Sequence, residues 1–126
     1  MSAGDDDADE VVDWPRPVVH WEIEAIDPER LRGFYGELFS WTIGDGPIMS
    51  IPAGIGGPEP GPSGHLRAGD RSRISLYVQV RDLTASLAAA ASLGGTVVTG
   101  PFDVPGGPTI AAITDPEGNP LVLVQQ

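Results

Sequence analysis

Two histidines, a row of glutamates and two tyrosines are the residues of this chain best suited to chemistry. Cysteine and lysine are both absent from the 126 residues. Thiolate nucleophiles, disulfides, cysteine-ligated metals and lysine Schiff bases are therefore excluded. The remaining candidates concentrate in one stretch, where His20, Glu22 and Glu24 recur at every second position. Alternate residues of a strand share a face, so the three side chains would form one row. An imidazole beside carboxylates is the raw material of general acid–base catalysis, provided the surroundings separate their pKa values. The plainer role for the same residues is a set of mutually satisfied hydrogen bonds. Two same-face residues of one strand lie roughly 6.5–7 Å apart at the backbone, so shared coordination of an ion is not expected.

The elements that must position this row are legible from an internal repeat. HWEIEAIDPERLRGFYGEL from His20 matches SLYVQVRDLTASLAAAASL from Ser75 at an offset of 55. Both copies open with an alternating run. Trp21, Ile23 and Ala25 share one face of the first, and Leu76, Val78 and Val80 one face of the second. Ser75, Tyr77 and Gln79 then occupy the polar face, with Tyr77 equivalent to Glu22. Asp27 and Asp82 follow as N-caps. Leu31, Phe34, Tyr35 and Leu38 make an apolar helical stripe, as do Leu83, Leu87, Ala90 and Leu93. Gly94 and Gly95 stop the second helix. Short strands are expected at Trp41–Ile43 and Ile48–Ile51, and at Thr96–Val98, Thr109–Thr114 and Leu121–Val124. DPEGNP makes the last turn. Pro52–Gly64 reads as a loop between modules, and His65 with Arg67, Arg71 and Arg73 as surface residues in or after it.

The pattern of His20, Asp27–Pro28 and a helix ending in FYGELFSW, closed by GGTVVTGPFDVPGGPTIAAITDPEGNPLVLVQ, resembles the vicinal oxygen chelate superfamily of glyoxalases, bleomycin-resistance proteins and dioxygenases. The resemblance covers residues 17–126. It implies an α+β fold of two tandem β-α-β-β-β modules forming a curved mixed sheet around a cleft. Residues 17–67 form the first module with its linker, and 68–126 the second, in one structural domain. It also implies where a divalent ion would bind: to a residue early in the first strand of each module and a carboxylate on its last strand. His20 matches the first of these positions. Ser75, its counterpart, is a poor ligand, and Val122 stands where the last-strand glutamate belongs. No acid lies near Ile48–Ile51. A catalytic ion needs about three protein ligands, so no conventional metal site and no cofactor is expected.

The bulk composition narrows the partners. The net charge is −11, and Asp5, Asp6, Asp7, Asp9, Glu10 and Asp13 carry six of the negative charges. Residues 1–16 read as a disordered acidic tail. The seven arginines form no basic face of the kind nucleic acid requires, and no apolar run is long enough to cross a membrane. The expected ligand is a small organic molecule, aromatic or cationic in keeping with the negative field. It would be held by His20, Glu22, Glu24, Trp41, Ser75, Tyr77, Gln79 and Val122, although core anchoring is the commoner role for Trp21 and Trp41. Two functional readings stay open beside the plainer one of a structural dimer module without a specific ligand. One is a cytoplasmic bacterial homodimer that binds its ligand without turnover, as drug-sequestering members do. The other is a metal-independent isomerase, lyase or cyclase with Glu22 or Glu24 as base and His20 as acid or oxyanion donor. The homodimer is implied by the resemblance alone, and the bacterial source by the Ala-, Gly- and Pro-rich, lysine-free composition.

Overall fold

Asp27 and Asp82 each start a helix, as their placement predicts. The Asp27 carboxylate accepts from the Arg30 amide at 3.2 Å, and that of Asp82 from the Ala85 amide at 3.0 Å. Both satisfy donors that the first helical turn leaves open. The structure, a computed structural model, describes residues 14–53 and 61–126. Residues 1–13 of the expected acidic tail and most of the expected linker lie outside the described residues. The elements run β1 (Val18–Ala25), α1 (Pro28–Phe39), β2 (Ile48–Ile51), β3 (Gly64–Ala68), β4 (Arg73–Val80), α2 (Leu83–Ser92), β5 (Thr96–Asp103), β6 (Thr109–Thr114) and β7 (Pro120–Gln125). Helix α2 ends in a Schellman motif. The Gly95 amide donates to the Ala90 carbonyl and the Gly94 amide to that of Ala91, with Gly94 at φ +99°.

The seven strands form one open mixed sheet in the order β2-β3-β1-β4-β7-β6-β5. Its centre is the antiparallel pair β1–β4, in which His20 faces Tyr77 and Glu22 faces Ser75. The 55-residue offset of the repeat is what this register demands. A pseudo-twofold axis between the strands exchanges His20 with Ser75 and Glu22 with Tyr77. The first strand of each module also pairs in parallel with its last, β1 with β3 and β4 with β7. A bulge between Val18 and His20 sets Val18 opposite Val78 rather than Gln79. The shift takes Val18 out of the alternation that places His20, Glu22 and Glu24 on one face.

The helices cover one face. Beneath α1 lie Ile23, Ala25, Ile43, Met49, Ile51 and Leu66, with Trp21, Leu31, Tyr35 and Trp41 packed against them. Beneath α2 lie Val80, Leu83, Leu87, Ala111, Ile113 and Leu123. The expected stripe on α1 is only half used, because Phe34 and Leu38 are 56% and 59% exposed. Trp41–Ile43 is not a strand: the Ile43 carbonyl accepts from the Arg32 side chain at 3.2 Å, and Trp41 packs on Trp21, Tyr35 and Phe39. The first module accordingly reads β-α-β-β among the described residues. Its last strand is β3, not the Ile48–Ile51 segment, because β3 is the one that pairs with β1.

Gly64 opens β3 directly beneath the Trp21 indole, where a Cβ would overlap the ring. That ring is also held by its Nε1–H donating to the Pro62 carbonyl at 2.9 Å. Gly64→Ala is expected to destabilise the fold by about 1–3 kcal/mol in denaturant unfolding, the usual cost of overpacking. Gly33→Ala, on α1 with nothing within 4 Å of the new methyl, is expected to be neutral or to stabilise by up to ~1 kcal/mol, the helix-propensity gain.

Candidate functional site

The face opposite the helices carries the polar row. Strand alternation puts His20, Glu22 and Glu24 of β1, His65 and Arg67 of β3, and Arg73, Ser75, Tyr77 and Gln79 of β4 on it. Val122 and Val124 of β7 and Ile110 and Ala112 of β6 continue that face into the second module through the strand register. One half of the face is therefore charged and the other apolar. A cleft of about 340 Å³ spans the junction, lined on one side by Glu22, Arg67, Arg73, Ser75 and Tyr77. Its other wall includes Phe102, Ile110, Ala112 and Val122.

Glu22, 6% exposed, anchors the charged half. Its Oε2 accepts from Arg67 Nε at 2.6 Å and His65 Nε2 at 3.0 Å, and the Tyr77 hydroxyl donates at a long 3.5 Å. The other oxygen accepts from Arg67 Nη2 at 3.4 Å, completing a two-pronged grip. Burial by itself would push the carboxyl pKa up. The hydrogen bonds from His65 and Arg67 and their attraction outweigh it and hold the group at about 2, from an ordinary 4.5. Glu24 is gripped in parallel by Arg73 Nε at 2.9 Å and Arg67 Nη2 at 3.5 Å. Burial and the Glu22 carboxylate raise the Tyr77 phenol to about 12.

The imidazoles complete the network. A carboxylate can only accept, so His65 Nε2 carries a proton. His65 Nδ1 and His20 Nε2 share a hydrogen bond across 2.8 Å. His20 Nδ1 lies 3.4 Å from the Ser63 hydroxyl. Burial, followed by repulsion from His65, lowers the His20 pKa against a smaller opposing pull from Glu22. The two rings lie stacked with centroids 5.0 Å apart, and the Tyr77 ring stands edge-on to both.

The structure brings most of the sequence candidates together but sorts them differently. Glu22, Ser75, Tyr77 and Val122 line the cleft. His20, Glu24 and Gln79 share its face without lining it. Trp41 is placed on the opposite side of the sheet, inside the aromatic cluster over Trp21, because the segment that was to carry it as a strand leaves the sheet. His65, Arg67 and Arg73, read from sequence as surface residues, are central. The signal was present in the alternation of Gly64-His65-Leu66-Arg67-Ala68, in which Leu66 is fully buried, but five residues bordered by glycine and proline look like loop.

The comparisons with known proteins agree with this architecture. The model of the glyoxalase-like domain matches residues 7–124. The chain belongs to that family. Among curated proteins none matches the sequence. This glyoxalase-like domain superposes on a hypothetical protein from Bacillus halodurans with a TM-score of 0.62 at 12% identity, covering 88% of this chain and 94% of that one. A glyoxalase/bleomycin resistance protein/dioxygenase superfamily member from Vibrio splendidus gives 0.61 at 12% identity, covering 89% and 100%. The methylmalonyl-CoA epimerase from Mycobacterium tuberculosis gives 0.55 at 17% identity, covering 85% of each. These likenesses establish the fold.

The divalent ion that the superfamily resemblance implies finds no matching donor set among the described residues. Pairing of Glu22 with His65 and of Tyr77 with Val122 makes His65 the pseudo-symmetric counterpart of Val122. The four ligand positions are thus His20, His65, Ser75 and Val122. The two imidazoles hydrogen-bond each other, the two second-module positions offer a hydroxyl and a hydrocarbon, and Arg67 occupies the nearest carboxylate. Among the described residues no three His, Asp or Glu side chains are grouped to hold an ion, against about three protein ligands for a catalytic site.

The depressed pKa of Glu22 makes stability depend on acid. A carboxyl whose folded pKa lies below its unfolded value contributes stability above about pH 4.5 and loses it as pH falls towards 2. Wild-type unfolding free energy is expected to drop by on the order of 3 kcal/mol across that window beyond the effect of other groups. Denaturant titrations at several pH values should show Glu22→Gln to be less stable at pH 7 and flatter below pH 4.5. An unchanged slope in the variant would remove Glu22 from this role.

Proposed function

We propose that this glyoxalase-like domain binds an organic small molecule in the cleft between its modules, without a conventional metal site and without turning the ligand over. The observation that carries this reading is the division of the cleft wall. Phe102, Ile110, Ala112 and Val122 offer an apolar bed, and Arg73, Ser75 and Tyr77 face it with hydrogen-bonding groups. A cavity of this size with an apolar lining and a few convergent polar groups is the usual form of a small-molecule site. Arg67 and Arg73 balance Glu22 and Glu24 within the wall, so local charge favours an uncharged ligand over the cationic one suggested by the whole-chain charge.

The alternative of a cleft carboxylate acting as general base finds less support. A base works best with a pKa near the working pH, and Glu22, the carboxylate lining the cleft, is held at about 2. Tyr77, at about 12, is equally far from neutrality on the other side.

Ala112→Trp, which would fill the cleft from its apolar wall, is the direct test. A thermal-shift and calorimetric screen of uncharged aromatic and branched aliphatic compounds should find ligands that stabilise the wild type, by the linkage of binding to folding. The variant should keep its circular dichroism spectrum and lose binding by at least about tenfold. Each ligand recovered after long incubation should be chemically unchanged by mass spectrometry. Recovery of an altered compound would replace the binding reading with the enzymatic one.

A further inference from the structure

Among the cleft-lining hydroxyls that have no partner among the described residues, that of Ser75 is the most deeply buried. Ser75 is 3% exposed and lines the cleft, and its hydroxyl has no hydrogen-bond partner among the described residues. A buried hydroxyl left unpaired costs free energy that a native fold rarely tolerates without a reason. Its neighbours two residues away on the same face, Arg73 and Tyr77, also carry donor groups. Arg73 uses Nε on Glu24 and also lines the cleft. The Tyr77 hydroxyl reaches Glu22 only at 3.5 Å. The Arg73 guanidinium can only donate, and the Ser75 and Tyr77 hydroxyls each carry one proton, so the row along β4 is rich in donors. A ligand acceptor set beside Ser75 would take its proton and lie within that row.

We infer that the cleft selects an uncharged carbonyl compound, a ketone, ester or amide with an aromatic or branched aliphatic body, whose oxygen accepts a hydrogen bond from Ser75 Oγ. The inference rests on the cleft being the ligand site and specifies what that site reads. The apolar body lies on Ile110, Ala112, Val122 and Phe102, across the cleft from β4. The carbonyl oxygen meets Ser75, with Arg73 and Tyr77 flanking it. A carboxylate in that place would face Glu22 and Glu24, and a cation would face Arg67 and Arg73, so neither charge sign is favoured. Ser75 occupies the pseudo-symmetric position of His20. The imidazole on the first module is committed to the His20–His65 pair, whereas the second module presents a free hydroxyl in its place.

Calorimetric titration of the full chain with four probes on one phenyl body tests this: propiophenone, propylbenzene, benzoate and benzylammonium. Propiophenone is expected to bind about tenfold more tightly than propylbenzene, the worth of one well-made hydrogen bond in a buried site. Benzoate and benzylammonium should bind more weakly than the ketone. In Ser75→Ala the ketone should fall to the affinity of the hydrocarbon, and the hydrocarbon should be unaffected. The variant should melt no lower than wild type, because it removes an unpaired buried hydroxyl. Equal wild-type affinity for ketone and hydrocarbon, or a Ser75→Ala variant that still prefers the ketone, overturns the anchor while leaving the cleft as a binding site. Tighter binding of benzoate or benzylammonium overturns the choice of an uncharged head. If none of the four binds, the binding reading itself fails and the anchor with it.

Discussion

The burial of the Glu22 carboxylate is the constraint around which the cleft half of this molecule is organised. Taking a carboxylate out of water costs several kcal/mol unless charge-assisted hydrogen bonds replace the lost hydration. Here the replacement comes from two strands at once. Arg67 and His65 of β3 supply the principal bonds, and Tyr77 of β4 adds a weaker one. β3 and β4 flank β1 on either side, so the carboxylate can be satisfied only when both pairings are in register. A one-residue slip in either would turn the donors to the helix side and leave an ion alone in the sheet. The group that costs most to bury therefore also specifies the strand order most sharply.

The same constraint shapes what the cleft can do. The network that makes Glu22 tolerable lowers its basicity, and a carboxylate held at about 2 is a fixed negative point and not a proton acceptor. The neighbouring arginines are partly exposed, which lets their stems cover the sheet while the guanidinium groups meet both carboxylates and solvent. Polar order is thus concentrated on β1, β3 and β4. The outer strands of the second module, with Val122 at the position equivalent to His65, supply apolar surface. A two-module fold with near-symmetric backbones becomes an asymmetric cleft through the choice of side chains at a few paired positions.

Glycine positions tie this chemistry to the backbone. Gly69 follows β3 and its amide donates to the Ala25 carbonyl at 2.9 Å. A Cβ there would run into the Glu24 carboxylate. Gly64 at the other end of β3 gives the Trp21 indole its seat. β3 is short, five residues, and both its ends rely on the absence of a side chain so that β1 can lie close. This explains how a segment set among glycines and prolines nonetheless forms the strand that carries two of the site's main donors.

The sequence by itself determined the elements whose signals are local. The 55-residue repeat, the Asp27 and Asp82 caps, the Gly94–Gly95 stop, the alternation of β1 and β4 and the strand Thr109–Thr114 all follow from spacing within a few residues of one another. It also placed His20, Glu22, Ser75, Tyr77 and Val122 on one face, because alternation and the repeat together imply it. Only the tertiary structure decided which residues answer them. His65, Arg67 and Arg73 lie 43 to 49 residues from the carboxylates they bind, and no local periodicity encodes a partner at that distance. Trp41 left the expected cleft for the aromatic cluster on the helix side because packing against Trp21, Tyr35 and Phe39 buries its ring there. The basicity of Glu22, the seclusion of the histidine pair and the unpaired hydroxyl of Ser75 are likewise products of neighbours brought together by strand order, since electrostatics and hydrogen bonding act through space and not along the chain.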